Sequence, residues 1–368
     1  MAPEHHKKHI LVAPLDWGLG HTTRCIPVIY ELLKQGARVT AAGNRVQLRL
    51  LEKEFSQIDF QYLEGYNVHY TAKRSRFVIN LAQQAPAILE AIRNENRWLR
   101  DIVREYSIDG VISDNRFGLY HAGIPTVFIT HQLKIRNPLG RMMETLSRRI
   151  NYRWIGRFSR CWIPDYPEAP GLAGALSHPA VMPAIPCAYI GPLSRMQLLP
   201  GAVAKEMVLI LLSGPEPQRS LFEKIVCEQL PSCKAGTVLV RGLPNGGGPP
   251  LAVPGSTVVY DHLPAQKLNQ LMCDAAYIIC RSGYSSVMDL QAVGARPILV
   301  PTPGQTEQEY LAELLGSQHH AVICSQEQFN MEVLLGEAKY RNCILPHRNG
   351  GSVLEQAVEG FLNECKPG

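Results

Sequence analysis

Short apolar runs alternate with segments of helical periodicity along almost the whole chain, the pattern of parallel strands joined by crossover helices. His9 to Pro14 reads as a buried strand, and the glycine-rich turn after it leads to a helix expected from about Thr23 to Gln35, ended by Gly36. Ala37 to Ala42 reads as a second strand and Gln83 to Glu105 as a long helix. Gly110 to Ser113 is the next strand, and Thr126 to Thr130 follows the turn Gly123-Ile124-Pro125. At Glu206 the series restarts with Met207 to Leu212. Thr237 to Val240, Thr257 to Tyr260, Ala276 to Cys280 and Pro297 to Val300 continue it, each separated by a helix-length segment. The Pro- and Gly-rich stretch from Pro164 through Pro192 suits an interdomain connection, with the boundary near Arg195. Two doubly wound α/β domains are therefore expected, over residues 1–195 and 196–350, with a C-terminal helix in 351–368 beginning near Ser352.

A length of 368 residues suits two cores of ordinary size, and 46% hydrophobic with 19% charged residues excludes a disordered or fibrous chain. The ten cysteines are scattered without CxxC spacing, so reduced thiols are expected rather than a disulfide or zinc framework. No apolar run reaches the ~18 to 20 residues of a membrane span, and the N-terminus lacks a signal-peptide pattern, which predicts a cytoplasmic protein.

The net charge of +5 is mild, but Lys134, Arg136, Arg141, Arg148, Arg149, Arg153, Arg157 and Arg160 crowd one segment, opposed chiefly by Glu144. This segment (134–160) reads either as a solvated basic helix face or as a site for an anionic acceptor or a membrane surface. Trp154, Ile155, Phe158 and Trp162 offer it apolar area, or else belong to the core. No nucleic-acid motif accompanies the charge.

Open α/β sheets bind ligands beyond the C-terminal ends of their strands, so the loops after strands carry the candidate chemistry. Asp16-Trp17-Gly18-Leu19-Gly20-His21-Thr22-Thr23-Arg24 follows the first strand. Gly18 and Gly20 let backbone approach a ligand at a helix N-terminus. The third glycine and the acidic residue of a dinucleotide fingerprint are missing, which disfavours a dehydrogenase. His21 is either a structural histidine or a general base for a hydroxyl, a role worth ~10² to 10⁴ in rate. Asp114, after the strand Gly110 to Ser113, either caps its loop or orients that imidazole. His131-Gln132 follows another strand and reads as acceptor-binding.

Cys280-Arg281-Ser282-Gly283-Tyr284-Ser285-Ser286-Val287-Met288-Asp289-Leu290 places strand, glycine turn and helix start in order. Backbone N–H groups at Ser282 and Gly283 suit a diphosphate, and Asp289 could accept from both ribose hydroxyls. Arg281 either meets phosphate or forms a structural ion pair. The loop Pro301 to Glu309 converges on the same sheet end with Gln305, Gln308 and Glu309.

These residues resemble the MurG-type UDP-N-acetylglucosamine transferases, most clearly from Cys280 to Tyr310, with Gly18 to His21 similar to the family's first glycine loop. The resemblance implies a GT-B fold, two Rossmann-like doubly wound domains facing a central cleft, with a C-terminal helix returning to the first. It implies a UDP-sugar donor bound by Asp289 at the ribose, Gln308 and Glu309 at the sugar, Ser213 and Gly214 in a glycine loop, and Leu263 at the uracil. Arg195 resembles a residue that approaches the donor phosphates, while Arg281, Ser282, Gly283, Tyr284, Ser285 and Gln305 complete the donor set. Thr130-His131-Gln132 stands where the family carries Glu-Gln-Asn, and Asp289 replaces its usual Glu. The expected activity is metal-independent, inverting glycosyl transfer to a lipid or glycan acceptor, with no cofactor. A nucleotide-sugar 2-epimerase of the same fold and a non-catalytic sugar-nucleotide-binding protein are the alternatives.

Overall fold

The computed structural model describes residues 7–66, 77–136, 140–201, 205–244, 246–348 and 351–366. The chain divides into two units, one holding residues 1–69, 77–193 and 350–368, the other 70–76 and 194–349.

The first unit contains β1 (His9–Pro14), α1 (Leu19–Lys34), β2 (Arg38–Gly43), α2 (Arg45–Glu54), β3 (Asp59–Tyr62), α3 (Phe77–Tyr106), β4 (Gly110–Asp114), β5 (Thr126–Ile129), α4 (Arg141–Ile155), β6 (Arg160–Ile163) and β7 (Cys187–Tyr189). Its strands form one parallel sheet in the order β3-β2-β1-β4-β5-β6-β7. Every residue of β1 and β4 is buried, as the continuous apolar runs of a sheet covered on both faces require. Leu11, Ala13 and Val111 pack on Leu99 and Ile102 of α3, while Phe128, Cys161 and Ile163 meet Ile155 and Phe158.

The stretch from Pro164 to Pro192 is not a connection between units but part of the first sheet's edge. Its strand β7 pairs in parallel with β6, with Cys161 opposite Cys187. The fully buried Asp165 organises the loop, accepting from the N–H groups of Tyr166, Leu172 and Ala173 and from the Ser177 hydroxyl. One carboxylate satisfies three backbone donors that a buried loop would otherwise strand. The division falls after Leu193, so Arg195 lies in the second unit.

The second unit contains β8 (Lys205–Leu211), α5 (Gln218–Gln229), β9 (Gly236–Val240), β10 (Thr257–Tyr260), α6 (Ala265–Asp274), β11 (Ala275–Cys280), α7 (Tyr284–Val293), β12 (Pro297–Leu299), α8 (Thr306–Ser317), β13 (Val322–Ile323) and α9 (Met331–Arg341). These strands are also parallel, in the order β10-β9-β8-β11-β12-β13. Val208, Ile210, Leu239, Ile279 and Ile298 form its core with Phe222 and Val226 of α5 and Leu334 of α9.

The last helix, α10 (Gly351–Glu364), packs in the first unit, where Phe361 meets Trp162 edge-on at 5.9 Å. Gly110 makes room for it. A Cβ there would lie 2.7 Å from both Phe361 Cζ and Cys365 Sγ. No described helix is long and apolar enough to cross a membrane.

Candidate functional site

Each sheet reverses its winding at one place, between β1 and β4 in the first unit and between β8 and β11 in the second. At such a point the following loops run to opposite faces and leave a crevice beyond the strand ends. Both candidate residue sets lie there.

In the first unit, Pro14 and Asp114 are paired residues at the ends of β1 and β4, and Leu15 N–H donates to the Asp114 carbonyl at 2.9 Å. Helix α1 starts at Leu19, four residues earlier than expected, because Gly18 takes φ 87°, a left-handed value that favours glycine. Gly18 and Gly20 form the open side of this turn, and no neighbour lies within 4 Å of where a Cβ on Gly18 would be. The early start puts His21 and Arg24 on the first two turns, one turn apart and facing the end of β4.

The His21 ring nitrogen Nδ1 lies 3.0 Å from Asp114 Oδ2, and its side chain keeps 18% of its exposure while Asp114 keeps none. Arg24 Nε donates to Asp114 Oδ2 at 2.7 Å and its Nη2 to Oδ1, a bidentate pair buried at the base of the turn. Burial works against ionising Asp114, but the Arg24 and His21 charges and hydrogen bonds outweigh it and hold the carboxyl down to about 2. His21 is lowered from its ordinary 6.5, first by burial and then by Arg24, with Asp114 opposing and His131 adding to the fall. The imidazole is thus neutral near pH 7, with Asp114 fixed as an anion behind it.

In the second unit, Ser282 Oγ donates to the Gln308 carbonyl at 2.7 Å, which ties the loop after β11 to α8. The Gln308 side chain accepts from Thr302 N–H at 2.9 Å and donates to Gln305 Oε1, while Glu309 accepts from Gly304 N–H at 3.0 Å. Helices α7 and α8 begin at Gly283 and Gln305 with no side-chain cap, and their positive dipole ends lie on these tied loops. Ser213 and Gly214 are exposed after β8, with Thr302 Oγ1 3.9 Å from where a Cβ on Gly214 would sit. Ser285 is half-buried in the first turn of α7. Leu263 precedes α6 at the end of β10, its side chain buried.

Asp289 lies farther along α7 and accepts from Ser194 Oγ at 2.5 Å. Burial raises it to about 6, against the opposing pull of that hydrogen bond and of the Arg195 charge. Arg195 therefore stands near Asp289 within one unit.

Three sequence expectations need correction. Arg281 is 1% exposed, and its guanidinium is spent on the carbonyls of Val300, Pro301 and Gln218, on Gln326 Oε1 and on the Phe222 face at 4.3 Å. It is neither a phosphate ligand nor half of an ion pair, and burial lowers it to about 10. The Tyr284 side chain is core at 2% exposure, so only its backbone stays at the helix start. His131 is buried beside Arg24, its Nδ1 3.4 Å from Nη1, and is part of the charged cluster rather than an acceptor contact. Of the two readings of Ile155, Phe158 and Trp162, the core one holds, and the apolar side chains exposed on α4 are Met142, Leu146 and Ile150. Gln132 is half-buried, with its N–H on Thr130 Oγ1 and its carbonyl accepting from Asn151.

Arg24 and Ser194 escaped the sequence reading as partners of Asp114 and Asp289. The spacing of three from His21 was the available signal for Arg24; nothing local marked Ser194.

Residues 257–339, which carry Ser282, Asp289 and Gln308, match the glycosyltransferase family 28 C-terminal domain. An uncharacterised glycosyltransferase of Methanosarcina acetivorans is 24% identical over 84% of this chain and 83% of its own length. The UDP-N-acetylglucosamine–N-acetylmuramyl-(pentapeptide) pyrophosphoryl-undecaprenol N-acetylglucosamine transferase of Haemophilus ducreyi is 21% identical over 86% of this chain and 85% of its own. The crystal structure of the kitacinnamycin glycotransferase superposes with a TM-score of 0.63 at 16% identity, covering 98% of this chain and 95% of that one.

Proposed function

We propose that the chain is a MurG-like glycosyltransferase of the GT-B fold that moves a hexose, foremost N-acetylglucosamine, from a UDP-sugar to an acceptor hydroxyl with inversion and without a metal. The observation that carries this reading is the His21–Asp114 contact at 3.0 Å, a neutral imidazole backed by a fixed anion. His21 Nε2 takes the proton of the acceptor hydroxyl while that oxygen bonds to the anomeric carbon. The bond from that carbon to the β-phosphate oxygen breaks, and UDP leaves with the electron pair. Asp114 stabilises the imidazolium that forms. The uncapped starts of α7 and α8 supply positive field to the departing diphosphate, and Asp289 accepts from the ribose hydroxyls.

Calorimetry with UDP and an assay of UDP release from UDP-N-acetylglucosamine test this division of labour. Asp289→Ala should weaken UDP binding, and His21→Ala should preserve it while slowing turnover. The reverse pattern would overturn the assignment.

A membrane-borne, lipid-linked acceptor is the second element of the proposal. Met142, Leu146 and Ile150 recur every four residues on α4 and stand exposed, flanked by the exposed Arg149 and Arg153. An apolar stripe with a basic border suits the headgroup region of an anionic bilayer on the cytoplasmic side. Equal sedimentation with anionic and neutral liposomes at low salt would remove this element.

A further inference from the structure

Arg24 is 2% exposed, and its guanidinium faces three titratable side chains from three elements. Asp114 at the end of β4 takes Nε and Nη2, His131 after β5 lies 3.4 Å from Nη1, and His21 on α1 has its Nδ1 2.8 Å from Nη2. The Cys25 thiol lies in the same surroundings, 3.9 Å from Asp114 Oδ2.

His21 Nδ1 therefore has two claimants, the Asp114 carboxylate at 3.0 Å and the Arg24 guanidinium at 2.8 Å. One ring nitrogen cannot donate to the first and accept from the second. A proton on Nδ1 serves Asp114 and leaves a lone pair on Nε2 for a substrate hydroxyl. A lone pair on Nδ1 would serve Arg24 and put the proton on Nε2, which removes the base. Nη2 already donates one of its two N–H groups to Asp114 Oδ1, so the first arrangement gives up only the second one's contact with the ring, whereas the other would set the Nδ1 lone pair against the Asp114 carboxylate.

We infer that Arg24 is the positioning residue of this site: by gripping both oxygens of Asp114 and setting a positive charge against the ring, it keeps His21 a neutral imidazole protonated on Nδ1. The inference rests on the reading of His21 as the general base. With Asp114 alone behind it, the ring would hold a proton to higher pH, and an imidazolium can take no second one. Burial and the neighbouring His131 act in the same direction as Arg24, and Asp114 acts against them.

The test is nitrogen NMR of histidine-labelled full-length protein between about pH 5 and 9, the range in which an imidazole titrates, with His21→Asn identifying the His21 signals. The parent protein should show the Nδ1–H tautomer. Arg24→Gln should raise the His21 midpoint by about 1 pH unit, the size of shift one adjacent charge causes, and Arg24→Lys, which keeps the charge, should raise it less. An Nε2–H tautomer in the parent, or an unmoved midpoint in a folded Arg24→Gln variant, overturns the inference. If Arg24→Gln does not fold, Arg24→Lys decides, and an unmoved midpoint there overturns the inference. The base reading fails separately, if His21→Ala releases UDP from UDP-N-acetylglucosamine as fast as the parent.

Discussion

The two winding-reversal points are topologically alike and chemically opposite. In the first unit, a buried guanidinium and a carboxylate support an imidazole across β1 and β4. In the second, the loops after β11 and β12 are tied to α8 chiefly by hydroxyl, amide and backbone groups, with the Glu309 carboxylate on Gly304 N–H and Asp289 on α7 as the acidic groups. A proton acceptor needs a nearby fixed charge of known sign, because that charge sets both its tautomer and its readiness. A diphosphate brings its own charge and needs aligned N–H donors instead. On the proposed reading, the same fold supplies two kinds of ligand handling by changing only the loops.

The contrast breaks most sharply at Asp114. Asp114→Ala leaves Arg24 buried without its counter-ion, and a loss of about 3–5 kcal/mol in denaturant unfolding is expected. Asp114 also stabilises the fold above its usual 3.8, a contribution lost as pH falls through about 2. His21→Ala should cost ~10² to 10⁴ in turnover with little change in unfolding, which separates chemistry from support in the same cluster. Gln308→Ala removes the tie between Thr302 and Gln305, and UDP affinity should fall roughly tenfold by calorimetry, about the value of one or two neutral hydrogen bonds.

Asp289 gives the pH signature of the second site. Its carboxyl is raised to about 6, so its contribution to stability is fully present below 3.8 and lost as pH rises through about 6. Affinity for UDP-N-acetylglucosamine should move the other way, weakening as pH falls through about 6, and Asp289→Asn should flatten that dependence. The smallest effect is expected at the exposed stripe of α4. Met142→Gln with Leu146→Gln should shift unfolding by no more than about 0.5 kcal/mol per site, while reducing sedimentation with anionic liposomes.

Much of this protein was legible without coordinates. The strands from His9 and from Gly110 and the restart near Met207 follow from runs of Val, Ile and Leu, whose burial on both faces is a local property of composition. The two glycine turns, Gly18 to Gly20 and Ser282-Gly283, marked the helix starts of α1 and α7 because a helix start after a strand end is a local signal as well. What the sequence by itself determined was therefore the alternation of elements and the places where chemistry could sit.

Tertiary structure alone decided which charges meet. Arg24 and Asp114 are 90 positions apart in the chain and are joined only because β1 and β4 lie side by side. Arg281, a polar residue in a promising motif, is instead folded inward onto four oxygen acceptors and an aromatic face. The Pro-rich stretch after Pro164 became sheet edge because a buried Asp165 gathered its N–H groups. Local propensity acts over a few residues, whereas burial and pairing of charged groups depend on neighbours brought from distant segments, and those neighbours assign each side chain its role.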